Sequence, residues 1–235
     1  MNKLLHVGLD VGSTTVKIVV MNEQLETIYT DYTRHYSDTK NTVCNVLDSL
    51  AKNYKDYDFT IALTGSGAMS AAKFLDVPFI QEVVSCKRAV EKYIPKTDVV
   101  IELGGEDAKI IYFGKSIEQR MNGTCAGGTG AFIDQMASLL NTDASGLNEL
   151  AKKHKIIYPI ASRCGVFAKT DIQPLINEGA AKEDIAASIF QAVVNQTISG
   201  LACGRPIRGN IAFLGGPLNY LSEIRNRFIE TLHLT

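Results

Sequence analysis

The chain contains the same succession of predicted elements twice. Three strand-like runs begin the first half: Leu4–Asp10, Thr15–Met21 and Leu25–Tyr36. Three more begin the second half: Asp98–Leu103, Lys109–Phe113 and Ser116–Met121, the last two joined by a turn at Gly114-Lys115. In each half a glycine turn follows the first strand, and runs joined by tight turns form hairpins. The sequence therefore predicts an α/β protein of two packed lobes, residues 1–95 and 96–235.

Helical periodicity follows the strands in both halves. In the first half it predicts helices over Thr39–Asn53, Ala68–Leu75 and Glu82–Tyr93. In the second half it predicts helices over Gly128–Leu140, Ala144–His154, Gly165–Glu178 and Lys182–Cys203. Two further strands, Phe59–Leu63 and Ile211–Leu214, each end at glycines, and a last helix begins at Gly215-Gly216-Pro217. Each half is thus predicted to be a sheet that carries helices.

The composition excludes several classes of protein. With 24 basic and 25 acidic residues the net charge is −1, so neither nucleic acid nor a charged membrane surface is expected as a main partner. The segment before Asp10 has too few apolar residues for a signal peptide, and no stretch approaches the roughly 20 apolar residues of a membrane helix. Five cysteines without an export signal argue against a disulfide framework. The sequence predicts a soluble, cytoplasmic protein.

The first candidate site is the turn Asp10–Lys17. The strand before it delivers the Asp10 carboxylate, and Gly12 lets the backbone approach an anion closely. The amides and hydroxyls of Ser13–Thr15 can donate to phosphate oxygens, and Asp10 is suited to hold Mg²⁺ through water. An ordinary hairpin turn remains the alternative, and the segment lacks the GxxxxGK[ST] pattern of a P-loop.

The second candidate site is Glu102–Lys109, which again places an acid and glycines after a buried strand. It contains three carboxylates, those of Glu102, Glu106 and Asp107. Burying them together without a cation is costly. A site for a metal and a nucleotide explains this charge, and an exposed turn with solvated charges is the alternative.

Two further glycine motifs are weaker indicators. Gly215-Gly216-Pro217 follows a strand, and its small residues allow a flat group such as adenine or ribose to lie against the backbone. A plain strand-to-helix turn is an equally good interpretation. Gly127-Gly128-Thr129-Gly130 precedes a predicted helix and can cradle a phosphate near the helix N-terminus.

Two of the cysteines, Cys125 and Cys164, each lie just before a predicted helix. Helix N-termini stabilise thiolates, which bind iron or zinc. A [4Fe–4S] cluster usually takes four thiolates, so two chains related by a two-fold axis would supply them. A buried, small apolar residue is the alternative for any single cysteine. We assign that role to Cys44, Cys86 and Cys203, and we treat the four histidines as structural or surface residues.

Four stretches, Gly8–Lys17, Glu102–Lys109, Asn122–Asp134 and Ser162–Ala168, resemble the BadF/BadG/BcrA/BcrD-type ATPases in the family's order. These proteins are activators of 2-hydroxyacyl-CoA dehydratases, and the chain looks closer to the longer, multi-domain relatives. The resemblance implies the actin-like, ribonuclease-H-like fold, with two lobes and a nucleotide cleft between them. The residues expected to contact ATP or ADP and Mg²⁺ are Asp10, Gly12, Ser13, Thr14, Thr15, Lys17, Glu102, Gly104, Gly105, Gly127, Gly128, Thr129, Gly215, Gly216 and Pro217.

The same resemblance implies a redox function and its partners. Cys125 and Cys164 are implied to ligate a [4Fe–4S] cluster shared across a homodimer. ATP hydrolysis would then drive one low-potential electron into an iron–sulfur dehydratase or reductase. An electron donor such as ferredoxin or flavodoxin would supply that electron.

The chain departs from the family pattern at two places. The family's second phosphate motif reads Asp-Ile-Gly-Gly-Gln-Asp, whereas this chain has Glu102 at the first position and Glu106 in place of the glutamine. Glu106 places a carboxylate where an amide would orient the attacking water, so Glu106 and Asp107 are the candidate catalytic residues. The family pattern would also continue beyond Thr235, so we expect the chain to be a fragment.

Two other functions remain open from the residues. A sugar or acyl kinase of the same fold class would use Asp107 or Glu106 as the base, but it leaves the cysteine pair unexplained. A non-enzymatic, nucleotide-gated scaffold would use Cys125 and Cys164 to bind Zn²⁺ or to pair with each other. The fold alone does not choose among these functions.

Overall fold

The computed structural model describes residues 3–114, 116–122, 127–161 and 165–234. The chain divides into two compact units, Met1–Pro95 and Lys96–Thr235. Each unit contains one four-stranded sheet.

The sheet of the first unit has the strand order β3-β2-β1-β4. Its strands are β1 (Lys3–Val11), β2 (Thr15–Met21), β3 (Thr27–Arg34) and β4 (Tyr57–Thr64), and its helices are α1 (Thr39–Asn53), α2 (Ala68–Leu75) and α3 (Glu82–Tyr93). Strand β1 runs antiparallel to β2 and parallel to β4. Alternate residues of β1, including Leu5 and Leu9, are buried in the core of this unit, as the two-residue period of a strand requires.

The sheet of the second unit has the equivalent order β7-β6-β5-β8. Its strands are β5 (Val99–Leu103), β6 (Ala108–Tyr112), β7 (Glu118–Met121) and β8 (Ile211–Leu214), and its helices are α4 (Gly130–Leu139), α5 (Ala144–Ala151), α6 (Gly165–Asn177), α7 (Lys182–Thr197), α8 (Gly216–Tyr220) and α9 (Ser222–Leu232). All five residues of β6 are buried, so both faces of this sheet are covered. Strand β5 again lies antiparallel to its hairpin partner and parallel to the late strand β8.

Helix α7 lies at the centre of the second unit. Eleven of its residues are buried, and it packs against α5 and α9. Phe190 of α7 and Phe228 of α9 are both fully buried, and the Phe228 ring lies 5.7 Å from that of Phe213 on β8. A π-helical turn, Ile198–Ala202, extends α7 at its C-terminal end.

The predicted strands and helices are present, with two differences in the second unit. The predicted last helix is two helices, because Leu221 between α8 and α9 has extended backbone angles (φ −105°, ψ 101°). The predicted helix over Lys182–Cys203 ends as the π-helical turn and stops at Cys203, which is left-handed (φ 46°). Lys115 of the predicted hairpin turn lies outside the described residues.

Two sequence expectations about burial are wrong. Cys44 and Cys203 are exposed and Cys86 is half-buried, whereas all three were expected in the core. Lys182–Ala202 has the length and hydropathy of a membrane span, whereas no segment of the chain was expected to be long and apolar enough for one. Because 67% of its apolar window is buried within the second unit, this segment has the character of a core helix.

Candidate functional site

An acid and a lysine face each other at the end of the first hairpin in each unit. Asp10 on β1 pairs in register with Lys17 on β2, and Lys17 Nζ lies 2.7 Å from Asp10 Oδ2. Glu102 on β5 pairs in the same way with Lys109 on β6. The two predicted acidic motifs are therefore equivalent positions of two similar sheets.

Burial distinguishes the two acid–lysine pairs. The Lys17 side chain is 36% exposed, whereas the Lys109 side chain is only 5% exposed. Lys109 Nζ lies 2.8 Å from Asp107 Oδ2 and 3.6 Å from Glu102 Oε1. The Lys109 ammonium therefore balances part of the carboxylate charge from which a metal and nucleotide site was predicted. Glu106 of the same loop is exposed.

The glycine turns after β1 and β5 are built alike. The Gly12 N–H donates to Thr15 O at 2.9 Å, and the Gly104 N–H donates to Asp107 O at 2.7 Å. A Cβ added at Gly104 would collide with the Asp107 carboxylate. A side chain at this position would therefore require the Asp107 carboxylate to move away from the turn.

Glycines after the parallel strands β4 and β8 pass directly over the ends of β1 and β5. Gly65 and Gly215 have φ angles of 96° and 89°, in the left-handed region. A Cβ on Gly65 would collide with Val11 O and Asp10 Oδ1, and one on Gly215 would collide with Leu103 O. Each unit thus brings two glycine loops together beside its acid–lysine pair.

Helix α4 begins directly against the glycine turn that follows β5. The N–H groups of Gly130 and Ala131 donate to Gly104 O (2.9 Å) and Gly105 O (2.7 Å). Thr129 is fully buried, and Gly127 leaves no space for a Cβ beside the Gln196 side chain. Part of the predicted phosphate cradle before α4 therefore contacts the protein's own backbone and the end of α7.

Cys125 and Cys164 lie outside the described residues, but the residues next to both segments are described. The first residue of α6, Gly165, is close to α4: a Cβ there would lie 3.0 Å from Gln135 Oε1 and 3.7 Å from Phe132 Cδ2. The Ala161 N–H donates to Asp171 Oδ2 of α6 at 2.7 Å. The helix that follows Cys125 in the sequence therefore contacts the first residue of the helix that follows Cys164. Within residues 3–114, 116–122, 127–161 and 165–234, three or more His, Cys, Asp or Glu side chains nowhere group into a metal site.

Sequence reasoning missed two residues of these sites. The burial of Lys109 was not predicted, because it depends on the pairing of β5 with β6 across the hairpin. His35, expected to be a structural or surface residue, is buried, and its ring Nε2 lies 3.2 Å from Gly12 O of the first glycine turn, a contact that the sequence did not indicate.

The profile of the BadF/BadG/BcrA/BcrD ATPase family matches residues 7–230. The chain belongs to this family. It is 32% identical over 215 residues to the (R)-2-hydroxyglutaryl-CoA dehydratase activating ATPase of Acidaminococcus fermentans, with 89% of this chain and 81% of that protein covered. The resemblance inferred from the four sequence stretches is confirmed.

Two solved structures have the same fold as this member of the family. The crystal structure of the Acidaminococcus fermentans (R)-2-hydroxyglutaryl-CoA dehydratase component A matches with a TM-score of 0.87 and 27% identity, covering 99% of this chain and 90% of that one. The activator of the 2-hydroxyisocaproyl-CoA dehydratase from Clostridium difficile with bound ADPNP matches with a TM-score of 0.83 and 26% identity, covering 97% and 86%. The chain therefore has the predicted actin-like ATPase fold, an α/β fold with mixed sheets.

Proposed function

We propose that this protein hydrolyses ATP to deliver one low-potential electron to a 2-hydroxyacyl-CoA dehydratase or a similar iron–sulfur enzyme. The observation that supports this most is the similarity to the dehydratase activator with bound ADPNP. Membership of an ATPase family and the similarity to the dehydratase-activating ATPase point the same way. A cytoplasmic location belongs to the same proposal.

The glycine loops are the proposed binding site for MgATP. In the first unit the contacts come from the residues of the first turn, namely Asp10, Gly12, Ser13, Thr14, Thr15 and Lys17. In the second unit they come from Glu102, Gly104, Gly105, Gly127, Gly128, Thr129, Gly215, Gly216 and Pro217. The turns after β1 and β5 suit phosphate because glycine places no side chain between the backbone and a ligand, and successive backbone N–H groups bind anions. Asp10 and Glu102 are the acids proposed to hold Mg²⁺ through water.

Glu106 and Asp107 are the proposed catalytic residues. Glu106 is exposed, so its carboxylate can contact a water molecule. Asp107 is held by Lys109, whose Nζ lies 2.8 Å from its Oδ2. These positions support Glu106 as the general base, next to an Asp107 carboxylate that Lys109 holds in place.

Cys125 and Cys164 are the proposed ligands of a [4Fe–4S] cluster shared by two copies of the chain. Thiolates close to helix N-termini are stabilised by the helix dipole. In the sequence, Cys125 precedes the first residue of α4, Gly130, by five positions, and Cys164 directly precedes the first residue of α6, Gly165. The cluster supplies one-electron chemistry. An electron donor such as ferredoxin or flavodoxin gives one electron to this protein, and the dehydratase partner accepts one.

A link from the nucleotide loop to the cysteine segments supports coupling of the two activities. The Gly104 and Gly105 carbonyls bond to the first turn of α4, and α4 contacts the first residue of α6. A shift of the loop on ATP hydrolysis would therefore reach both helices through direct contacts.

Anaerobic purification of single cysteine variants tests the proposal. We expect wild-type protein to be brown, and Cys125→Ala and Cys164→Ala to lose iron and sulfide. The exposed cysteines provide matched controls, since Cys44→Ala and Cys203→Ala should keep the cluster. ATP hydrolysis by the wild type is measured in the same samples.

Other outcomes of this experiment would favour the other functions. A colourless wild type that stays free of iron after anaerobic reconstitution would contradict the redox proposal. Release of ADP that depends on an added sugar or acyl acceptor, without iron, would indicate a kinase. Zinc without redox activity would indicate a scaffold.

A further inference from the structure

His35 contacts the first glycine turn at two points. It is the first residue after β3 and is 6% exposed. Its backbone N–H donates to Thr14 O at 3.1 Å, which extends the pairing of β2 and β3 by one bond. Its ring Nε2 lies 3.2 Å from Gly12 O. One residue thus binds two carbonyls of the turn that is proposed to contact phosphate.

The hydrogen bonds fix the tautomer of the His35 ring. The backbone N–H of Ser37 lies 3.1 Å from Nδ1, so Nδ1 must accept and carries no hydrogen. The neutral ring then carries its hydrogen on Nε2, which donates to Gly12 O. The ring is therefore a bridge, accepting from the chain after β3 and donating to the turn after β1.

The bond to Gly12 O also sets the direction of the next amide group. In a planar trans peptide the C=O of one residue and the N–H of the next point in opposite directions. Because Gly12 O is directed at the buried imidazole, the Ser13 N–H is directed away from it. A glycine is otherwise free to rotate this peptide over a wide range, so the ring removes a freedom that the turn would have on its own.

The second unit contains a residue at the same place in its fold. Asn122 is the first residue after β7, and its Oδ1 accepts from the Ala108 N–H at 2.8 Å while its own N–H donates to Ala108 O at 3.0 Å. In both units, a polar side chain directly after the third strand therefore binds the backbone of the first hairpin.

We propose that His35 is a positioning residue for phosphate binding: its Nε2–H holds Gly12 O so that the Ser13 N–H stays directed at a phosphate of the bound nucleotide. This inference rests on the proposed nucleotide site. It predicts that His35 matters for ligands that carry phosphate and not for the nucleoside alone.

Substitutions at His35 test this with ATP, ADP and adenosine as ligands. His35→Phe replaces the imidazole with an aromatic ring that has no nitrogen. Loss of the bond that orients the loop should weaken ADP and ATP binding about tenfold and raise the KM for ATP more than it lowers kcat. Adenosine affinity should stay unchanged. His6→Phe, on β1 of the same unit and bonded to Thr60, is the matched control and should bind all three ligands as the wild type does.

A second pair of variants separates positioning from folding. The amide of His35→Gln lies near the position of Nε2 and can donate to Gly12 O, whereas that of His35→Asn lies near Nδ1 and cannot reach it. We expect the Gln variant to keep most of the ATP affinity and the Asn variant to lose it, with similar urea midpoints.

The possible outcomes distinguish failure of the role of His35 from failure of the proposed nucleotide site. Wild-type protein that binds no nucleotide would overturn the nucleotide site and this inference together. Wild-type binding, with His35→Phe or His35→Asn within twofold of it for ATP, would overturn the role of His35 alone. Equal weakening for adenosine and ATP would also overturn it, because a general loss of structure does not discriminate phosphate.

Discussion

Substitution of Lys109 by methionine should destabilise the second unit strongly. The Lys109 side chain is 5% exposed, and its Nζ lies 2.8 Å from Asp107 Oδ2 and 3.6 Å from Glu102 Oε1. Methionine keeps an unbranched chain of similar length and removes this ammonium. Glu102, only 17% exposed, then keeps a charge without this cation, while Asp107 at 37% is partly hydrated. Removing one member of a buried pair costs about 3–5 kcal/mol, and a surface pair contributes about 0–1 kcal/mol, so we expect about 2–3 kcal/mol.

The equivalent pair of the first unit provides the control. Lys17→Met removes an ammonium that lies 2.7 Å from Asp10, but the two side chains are 36% and 29% exposed. Solvent screens this pair, so the expected cost is at most about 1 kcal/mol. A second control is Lys109→Met combined with Glu102→Gln, which removes the carboxylate charge beside the substituted lysine and should recover part of the stability.

Hydrogen exchange measures the amide protection of each unit separately within a single sample of each variant. The amides of β5 and β6 report on Lys109→Met, and those of β1 and β2 report on Lys17→Met. Urea unfolding followed by circular dichroism gives the global change. Equal losses of protection in the two variants, or no recovery in the double variant, would refute the argument that burial makes Lys109 the more important cation.

Two other substitutions test the geometry and the charges of the second unit. Gly215→Ala forces a side chain onto a φ of 89° against Leu103 O, and should cost about 1–3 kcal/mol in urea unfolding. Gly200→Ala, with open space around its Cβ position, should cost less, and a larger cost there would count against the steric reasoning. Asp184 accepts the N–H groups of Lys155 and Ile156, which hold the pKa of its carboxyl below the usual range. That stabilisation is present at neutral pH and is lost as the pH falls through the folded pKa, so the stability gap between wild type and Asp184→Asn should narrow in acid. A gap that does not change with pH would contradict this assignment.

Local patterns were enough to predict the elements of the fold. An apolar run that ends in glycine marks a strand end, as it does at Gly104 and Gly215, and the left-handed φ of Gly215 beside Leu103 O requires a glycine there. Helix faces follow from periodicity, and α1 and α3 have the predicted bounds. The kink at Leu221 was not predictable, because nothing in its own residue type disfavours a helix.

Contacts between distant residues could not be predicted in the same way. Lys109 is buried because β5 and β6 pair in one register, and His35 meets Gly12 because β3 returns beside β2. Helical spacing places Cys44 on a face of α1 but does not say how deep that face lies, so its exposure was missed. The apolar length of Lys182–Ala202 similarly cannot tell a core helix from a membrane span.

Native mass spectrometry of anaerobically purified protein tests the central claim most directly. The account predicts a dimer with about four iron and four sulfide ions per two chains, and Cys125→Ala should remove them. Addition of MgATP should then alter the visible spectrum of the wild type. A protein that remains free of iron after anaerobic reconstitution, or a monomer that holds a complete cluster, would contradict the account.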